Sequence, residues 1–480
     1  MLINPNIFRE FSIRGIADHD LTDEVVVTLG RATGAFFKQR GGKTLVVGRD
    51  GRNSSPRLSR SLMQGLQHAG LKVIDLGLVP TPAHHFATDF YGADGGVMIT
   101  ASHNPPEYNG LKIRNEHRTL YADEVQEIYR LATTEAANPI LGVTTTAGSV
   151  ELADIIPVYL ERLKAQADFQ AVRPLKIVVD GGNGTNGLIV AQLLRDLGCQ
   201  VGELYGEPDG NFPHRSPDPT ASGALAGLSA QVQAEKADLG LAYDGDGDRL
   251  ALVDEQGRRV LGDQIMMILA RDILQHGSSG SPQSGSSSSL HGDPAKIVYE
   301  ILCTQALADD VIAHGGEPVM TPSGYAFVHE AMQQSGAALG GELSGHLFCR
   351  EPEFRFDDAI LATVKLLNVV APSLQPLSAR VAALPAYHSS PELRLPCPDT
   401  AKVAVVEFVK TQFAPDYKVD TLDGARIHFA EGWALVRQSN TQPVISMRFE
   451  ARSAEHLAAI QSRVQPLVEA EIKRQIGSRE

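Results

Sequence analysis

Cysteine is scarce: Cys199, Cys303, Cys349 and Cys397 are the only four in 480 residues, and no two stand at CxxC spacing. That scatter argues against a zinc cluster or a disulfide framework and suits a reducing compartment. Positive charge is also in deficit, with 43 Lys and Arg against 57 Asp and Glu for a net charge of −14. A general binder of nucleic acid or of anionic membranes is therefore not expected, and an anionic substrate would need a local basic pocket. Long apolar runs are missing too, since none approaches the ~18 residues of a membrane span. The opening Met1-Leu-Ile-Asn-Pro5 lacks the basic stretch and apolar core of a secretory signal. Cytoplasm is the expected location.

What is present is ordinary core-forming material, 43% hydrophobic, in a chain long enough for about three or four domains. A repeat organises it. Lys43-Thr-Leu-Val-Val-Gly-Arg-Asp50, Lys176-Ile-Val-Val-Asp-Gly-Gly-Asn183 and Lys296-Ile-Val-Tyr-Glu-Ile-Leu302 each set a lysine before a β-branched run. Each leads to a helix-like segment (58–68, 187–197, 302–313), a glycine and a second short strand (72–76, 200–204, 318–320). Three β-α-β openings at domain-length spacing predict three related α/β domains, 1–150, 151–257 and 258–383. Within the third, 277–289 holds only Ser, Gly, Pro and Gln, too polar to pack, and reads as a mobile surface insertion. Residues 384–480 read as an α+β unit: a Pro-rich connection, a helix at 402–412, strands at 426–429, 433–437 and 445–450, and a helix at 454–470.

Four polar loops carry the chemistry. Ile99-Thr-Ala-Ser102-His103-Asn104-Pro-Pro106 follows an apolar run, and so places a hydroxyl, an imidazole and an amide at the carboxyl edge of a sheet, where open α/β sheets collect ligands. Ser102 is the candidate nucleophile and needs a base, a metal or a poised electrophile beside it. In Tyr243-Asp244-Gly-Asp246-Gly-Asp248-Arg249, three carboxylates alternate with glycines that let the backbone fold tightly enough to converge them on one hard cation. Mg²⁺ is the natural guest, because the carboxylates alone would repel one another. A calcium loop of the EF-hand kind fails, since Arg249 stands where glycine is needed and 250–254 reads as a strand. Gly340-Gly-Glu342-Leu-Ser344-Gly-His346 sets polar side chains between glycines, as a polyol site would, and also fits a plain turn. Arg437-Gln-Ser439-Asn440-Thr441-Gln-Pro443 combines one cation with three small donors, a mix suited to phosphate. One such loop falls in each domain, as a multidomain cleft requires.

Together these loops resemble the four signature loops of the α-D-phosphohexomutases, most closely the bacterial phosphomannomutase/phosphoglucomutases, in the family's order from Phe8 to about Ala451. The resemblance implies a heart-shaped molecule around a central cleft: three α/β domains with mixed sheets, then a C-terminal α+β domain of the TATA-binding-protein-like type. It implies that Ser102, flanked by His103, carries a phosphoryl group, and that Asp244, Asp246 and Asp248 hold Mg²⁺ with a phosphate oxygen of that residue. The phosphoserine would convert a hexose monophosphate into a 1,6-bisphosphate, with glucose 1,6-bisphosphate as activator. Arg14, Lys112 and Arg249 align with basic residues lining the site, and Lys112 and His346 with candidates for moving the hydroxyl proton. Glu342 and Ser344 align with the pair gripping sugar hydroxyls, with Tyr325 beside them, and Arg437, Ser439, Asn440 and Thr441 with the cradle for the non-reacting phosphate. The implied partners are small phosphosugars, bound by a monomer or weak dimer with no nucleic-acid or membrane partner.

Three stretches depart from the family pattern. The usual FRxYDIRG is here Phe8-Arg-Glu-Phe11-Ser12-Ile-Arg14-Gly15, a lysine usual before Cys303-Thr304 is Leu302, and Tyr325 stands where a histidine is common. These bear on rate and sugar preference. Arg9 stays open as a source of the lost charge, and the insertion as a source of polar groups in its place. The expected activity is interconversion of the 1- and 6-phosphates of glucose and mannose. The alternatives are a phosphoglucosamine or pentose-phosphate mutase, and a phosphosugar-binding homologue without turnover. Glu342-Leu343-Ser344 favours unsubstituted hexoses, and domain rotation is expected to enclose the substrate.

Overall fold

The computed structural model describes residues 3–116, 118–137, 148–169, 171–276, 294–439 and 442–477. The insertion at 277–289, Asn440, Thr441 and residues 138–147 lie outside the described residues.

Three sheets share one plan. In the first, Lys72–Leu78, Thr44–Arg49 and Gly95–Ile99 run parallel in that spatial order, and Tyr108–Asn115 returns antiparallel. The second repeats this with Gln200–Leu204, Lys176–Asp180, Leu239–Tyr243 and the returning Leu250–Asp254. The third does so with Glu317–Thr321, Lys296–Glu300, Leu339–Gly341 and Leu347–Cys349. Each lysine-led run is thus a strand with parallel neighbours on both sides, which is why it is apolar throughout rather than alternating. The shared plan also makes the loop between the third and fourth strands equivalent in all three sheets. Those loops are the ones bearing Ser102, the three aspartates, and Glu342 with His346.

Edge strands complete the sheets: Ile13–Ile16 and Val150–Leu152 flank the first, and Arg259–Val260 the second. Helices Ser55–His68, Gly187–Asp196 and Gln305–Ala313 follow the lysine-led strands. The last begins three residues later than the sequence pattern suggests. Thr304 caps it, its Oγ1 accepting from the Ala306 N–H at 3.2 Å, while Ile301 and Leu302 pack with Trp433 and Leu435 of the fourth domain. One apolar cluster runs from Phe86 of the first domain through Tyr159 and Leu241 to Ile297 and Phe354 of the third, so the three sheets share a scaffold. Tyr159 donates to Asp358 at 2.8 Å inside it.

The fourth domain is an antiparallel sheet in which Val444–Ala451, Gly432–Gln438, Ala425–Phe429 and Lys418–Asp420 follow one another. The stretch expected to be a mere connection supplies two further strands, His388–Ser389 and Leu393–Pro396, both paired with Val444–Ala451. Helices Asp399–Phe413 and Ala454–Gly477 close its core over Val436, Met447 and Phe449. The second helix runs beyond 470 with Pro466 inside it.

Candidate active site

The strand Gly95–Ile99 delivers its loop into the cleft with Ser102 at φ 50°, a left-handed conformation that costs a non-glycine residue on the order of 1 kcal/mol. Hydrogen bonds offset that cost. The Ser102 N–H donates to Thr100 Oγ1 at 2.7 Å, and its carbonyl accepts from the Arg52 guanidinium at 2.8 Å. Arg52 is buried against Asp50 and also donates to the carbonyls of Asn104 and Pro105, both at 2.6 Å. Sequence reasoning missed this clamp, and its one signal was Asp50-Gly51-Arg52 directly after the first lysine-led strand.

The aspartate loop approaches from the second sheet, and glycine makes the approach possible. A Cβ on Gly245 would lie 2.6 Å from the Ser102 carbonyl oxygen. With the loops so close, Ser102 Oγ donates to Asp244 Oδ2 at 2.8 Å. Asp244, Asp246 and Asp248 are buried, with one carboxylate oxygen of each within 4.8 Å of the others. Lys112, on the returning strand of the first sheet, donates to Asp246 at 2.7 Å and Asp248 at 2.5 Å, and Thr81 donates to Asp246 at 2.6 Å. Burial, then the charges of Asp248 and Asp246, push the Asp244 carboxyl well up. Burial pushes Asp246 up as well, but the charge and hydrogen bond of Lys112 outweigh it and hold that carboxyl below the usual range. Two buried oxygens, Asp246 Oδ1 and Asp248 Oδ1, have no hydrogen-bond partner. A hard divalent cation satisfies such orphaned oxygens, so this donor set fits Mg²⁺.

The third loop docks onto the second through a backbone bridge between Arg249 and His346. Arg249 Nε donates to His346 Nε2 at 3.0 Å, and His346 Nδ1 lies 2.7 Å from Asp357 Oδ2. Nδ1 therefore carries the proton in this arrangement and Nε2 accepts. Burial pushes the imidazole down and the charge of Arg249 opposes protonation, but Asp248 and Asp357 outweigh both and carry it up to about 9. The Tyr325 ring stacks on the imidazole at 5.3 Å, and Lys112 Nζ lies 5.8 Å from the Tyr325 centroid. Asp357 was not legible in the sequence. Its neighbour Asp358 points into the scaffold, where it caps the helix Ala359–Val370.

Glu342 Oε1 accepts from the Gly324 N–H at 2.8 Å and Oε2 from Ser344 Oγ at 3.0 Å. Behind them Glu300 accepts from the Leu343 N–H at 2.8 Å. Burial, then the charge of Glu342, push the Glu300 carboxyl up to about 8.

In the fourth loop Arg437 Nε donates to Asp423 Oδ2 at 2.7 Å, and the Ser439 carbonyl accepts from Lys402 at 2.6 Å. Arg14 donates to Asn104 Oδ1 at 3.1 Å, and its Nε is buried without a partner. His103 Nδ1 is 3.2 Å from Ser102 Oγ. Burial, then the charges of Arg249 and Arg14, push that imidazole well down, so it is neutral. Thus Ser102, His103, Lys112, the aspartates, Arg249, His346 and Tyr325 converge, with Arg14 on the same loop cluster. Arg437 joins them through Asp423, which also accepts from the Ser323 N–H at 2.9 Å beside Gly324.

The departures are accommodated locally. Leu302 fills the apolar contact with Trp433, and its carbonyl accepts from Arg448. Phe11 packs with Tyr325 and Phe327 at centroid distances of 5.5 and 5.4 Å, joining the first and third domains. Arg9 pairs with Asp399 of the fourth domain at 3.2 Å and supplies no charge to the aspartates.

Four family models match the chain in order. They are described as phosphoglucomutase/phosphomannomutase alpha/beta/alpha domains I, II and III, at 5–139, 157–257 and 261–387, and as the C-terminal domain at 392–467. A phosphomannomutase/phosphoglucomutase of Pseudomonas aeruginosa is 38% identical over 459 residues, 95% of this chain and 94% of that protein. A phosphoglucomutase of Neisseria gonorrhoeae is 36% identical over 471 residues, 98% of each. The crystal structure of a phosphoglucomutase/phosphomannomutase family protein from Burkholderia thailandensis superposes with a TM-score of 0.86 at 36% identity, covering 98% of both chains.

Proposed function

Since the chain belongs to the phosphoglucomutase/phosphomannomutase family and is thereby a phosphohexomutase, we propose that it interconverts the 1- and 6-phosphates of glucose and of mannose through a phosphoserine at Ser102 and a hexose 1,6-bisphosphate. The observation that carries this reading is the 2.8 Å contact of Ser102 Oγ with Asp244 across two domains, beside two orphaned carboxylate oxygens. The names of the relatives from Pseudomonas and Neisseria support glucose and mannose as the sugars.

Asp244, Asp246 and Asp248 would hold Mg²⁺, which when bound neutralises charge on the phosphoryl group in transfer. Arg14 and Arg249 bring guanidinium donors to the same oxygens. His346, its Nδ1 held by Asp357, and Lys112 beside it are the groups placed to move the proton of the attacking sugar hydroxyl. Glu342 and Ser344 exchange their mutual bond for sugar hydroxyls. Arg437, Ser439, Asn440 and Thr441 hold the phosphate that is not in transfer. The bisphosphate then turns end for end and returns its other phosphate to Ser102. Glucose 1,6-bisphosphate activates by phosphorylating any enzyme that has lost the group.

No helix among the described residues is long and apolar enough to cross a membrane. A cytoplasmic monomer or weak dimer fits this reading.

The test is turnover of glucose 1-phosphate and mannose 1-phosphate with Mg²⁺ and a trace of glucose 1,6-bisphosphate. Ser102→Ala is expected to lose at least ~10³-fold in kcat and to show no phosphate by intact mass. Undiminished turnover would remove Ser102 as the nucleophile.

A further inference from the structure

Asp423 lies in the turn between Lys418–Asp420 and Ala425–Phe429, outside the four polar loops. The turn is pressed against the phosphate loop's own strand: Gly424 has φ 82°, and a Cβ there would lie 2.4 Å from the Val436 carbonyl and 2.7 Å from the Arg437 Cα. The Asp423 carboxylate is thereby placed on Arg437, with Oδ2 accepting Nε at 2.7 Å and the Ser323 N–H of the third domain at 2.9 Å. Both side chains are largely desolvated, Arg437 6% and Asp423 11% exposed. Glu300 and Glu392 also face Arg437.

We propose that Asp423 sets the affinity of this loop, acting as the resident counter-ion that a sugar's phosphate must displace from Arg437. The proposal rests on the reading of Arg437 as a phosphate ligand. A guanidinium this buried offers little open face, so an incoming dianion meets the carboxylate at the same nitrogen, in surroundings already acidic. With the cleft empty, the pair keeps a buried charge compensated. When phosphate enters, the displaced carboxylate also gives up the Ser323 N–H, and one tie between the third and fourth domains opens with it. Asp423 is thus an affinity-setting residue that weakens phosphate binding, as an enzyme that must release and rebind its own bisphosphate requires.

Asp423→Asn removes the competing charge at nearly constant shape. The KM for glucose 1-phosphate and the inhibition constant of inorganic phosphate are both expected to fall, by roughly three- to tenfold, with kcat not raised. Asp423→Ser is measured alongside, and thermal unfolding confirms that each variant is folded. A folded variant with both constants unchanged or raised, or with kcat alone reduced, overturns the proposal and makes Asp423 a support for the turn. Arg437→Ala in parallel is expected to raise both constants. If it leaves them unchanged, the phosphate loop itself is misassigned, and the proposal falls for that separate reason.

Discussion

The two ends of the cleft differ in what their charged groups hold. Around Ser102, Asp246 Oδ1, Asp248 Oδ1 and Arg14 Nε are buried with no hydrogen-bond partner. At the far end Glu342 is bonded to Gly324 and Ser344, and Arg437 to Asp423. The first end is a set of charges fixed in advance, in which Lys112 pairs one oxygen each of Asp246 and Asp248 and leaves the other without a partner, the preorganisation that stabilises charge in transfer. The second holds protein groups in the places where a substrate would bond, so binding there exchanges one set of hydrogen bonds for another. A mutase needs both conditions. Under the proposed mechanism the reacting end must be rigid, and the recognising end must let go when the bound sugar reverses.

The strongest way to break this comparison is to make matched changes at each end. Asp244→Asn, assayed for glucose 1-phosphate turnover at saturating Mg²⁺, is expected to cost ~10³- to 10⁴-fold in kcat, because it removes both the acceptor of Ser102 Oγ and a cation ligand. Ser344→Ala is expected to cost about tenfold, mostly in KM, because Glu342 keeps its bond to Gly324. Equal losses would mean that the two ends are equally committed. A smaller effect sharpens the boundary between the third and fourth domains. Leu302→Lys sets an ammonium among Ile301, Trp433 and Leu435 and should lower unfolding stability by about 2–4 kcal/mol, read by denaturant titration. No loss would show that position 302 opens to the cleft.

A last effect is in pH. The Glu300 carboxyl, buried and facing Glu342 and Arg437, is held up to about 8 from its ordinary 4.5. The folded state therefore binds this proton more tightly than the unfolded state does. Its contribution is complete below pH 4.5 and is lost as pH rises through 8. Glu300→Gln removes that loss. The gap in unfolding free energy between the variant and the parent should shift in the variant's favour by on the order of 4 kcal/mol from pH 5 to 9. A constant gap would mean that Glu300 is ionised throughout.

Much of the fold is legible in the chain because its strongest signals are local. A strand with parallel neighbours on both sides has to be apolar along its length, so the runs after Lys43, Lys176 and Lys296 announce three sheets. Alternating aspartates and glycines announce a converging loop wherever they occur. The boundaries read least well were those set by partners from elsewhere: the helix after Leu302 starts late because Leu302 packs on Trp433, and His388–Ser389 and Leu393–Pro396 are strands because Val444–Ala451 pairs with them.

Asp357 and Asp423 carry no pattern of their own in the sequence, and Arg52 only its place just after a lysine-led strand. Arg52 gains a function when the carbonyls of Ser102 and Asn104, some fifty residues on, turn toward it. Asp357 gains one from the imidazole of His346, and Asp423 from two domains at once. The order of residues along the chain decided which groups the protein possesses and which strand each one follows, because backbone conformation and side-chain spacing are short-range properties. Which groups share a proton, remain unpaired or stand in for a ligand was decided by the packing of the domains, because charge and hydrogen bonding act through space between residues that the chain keeps far apart.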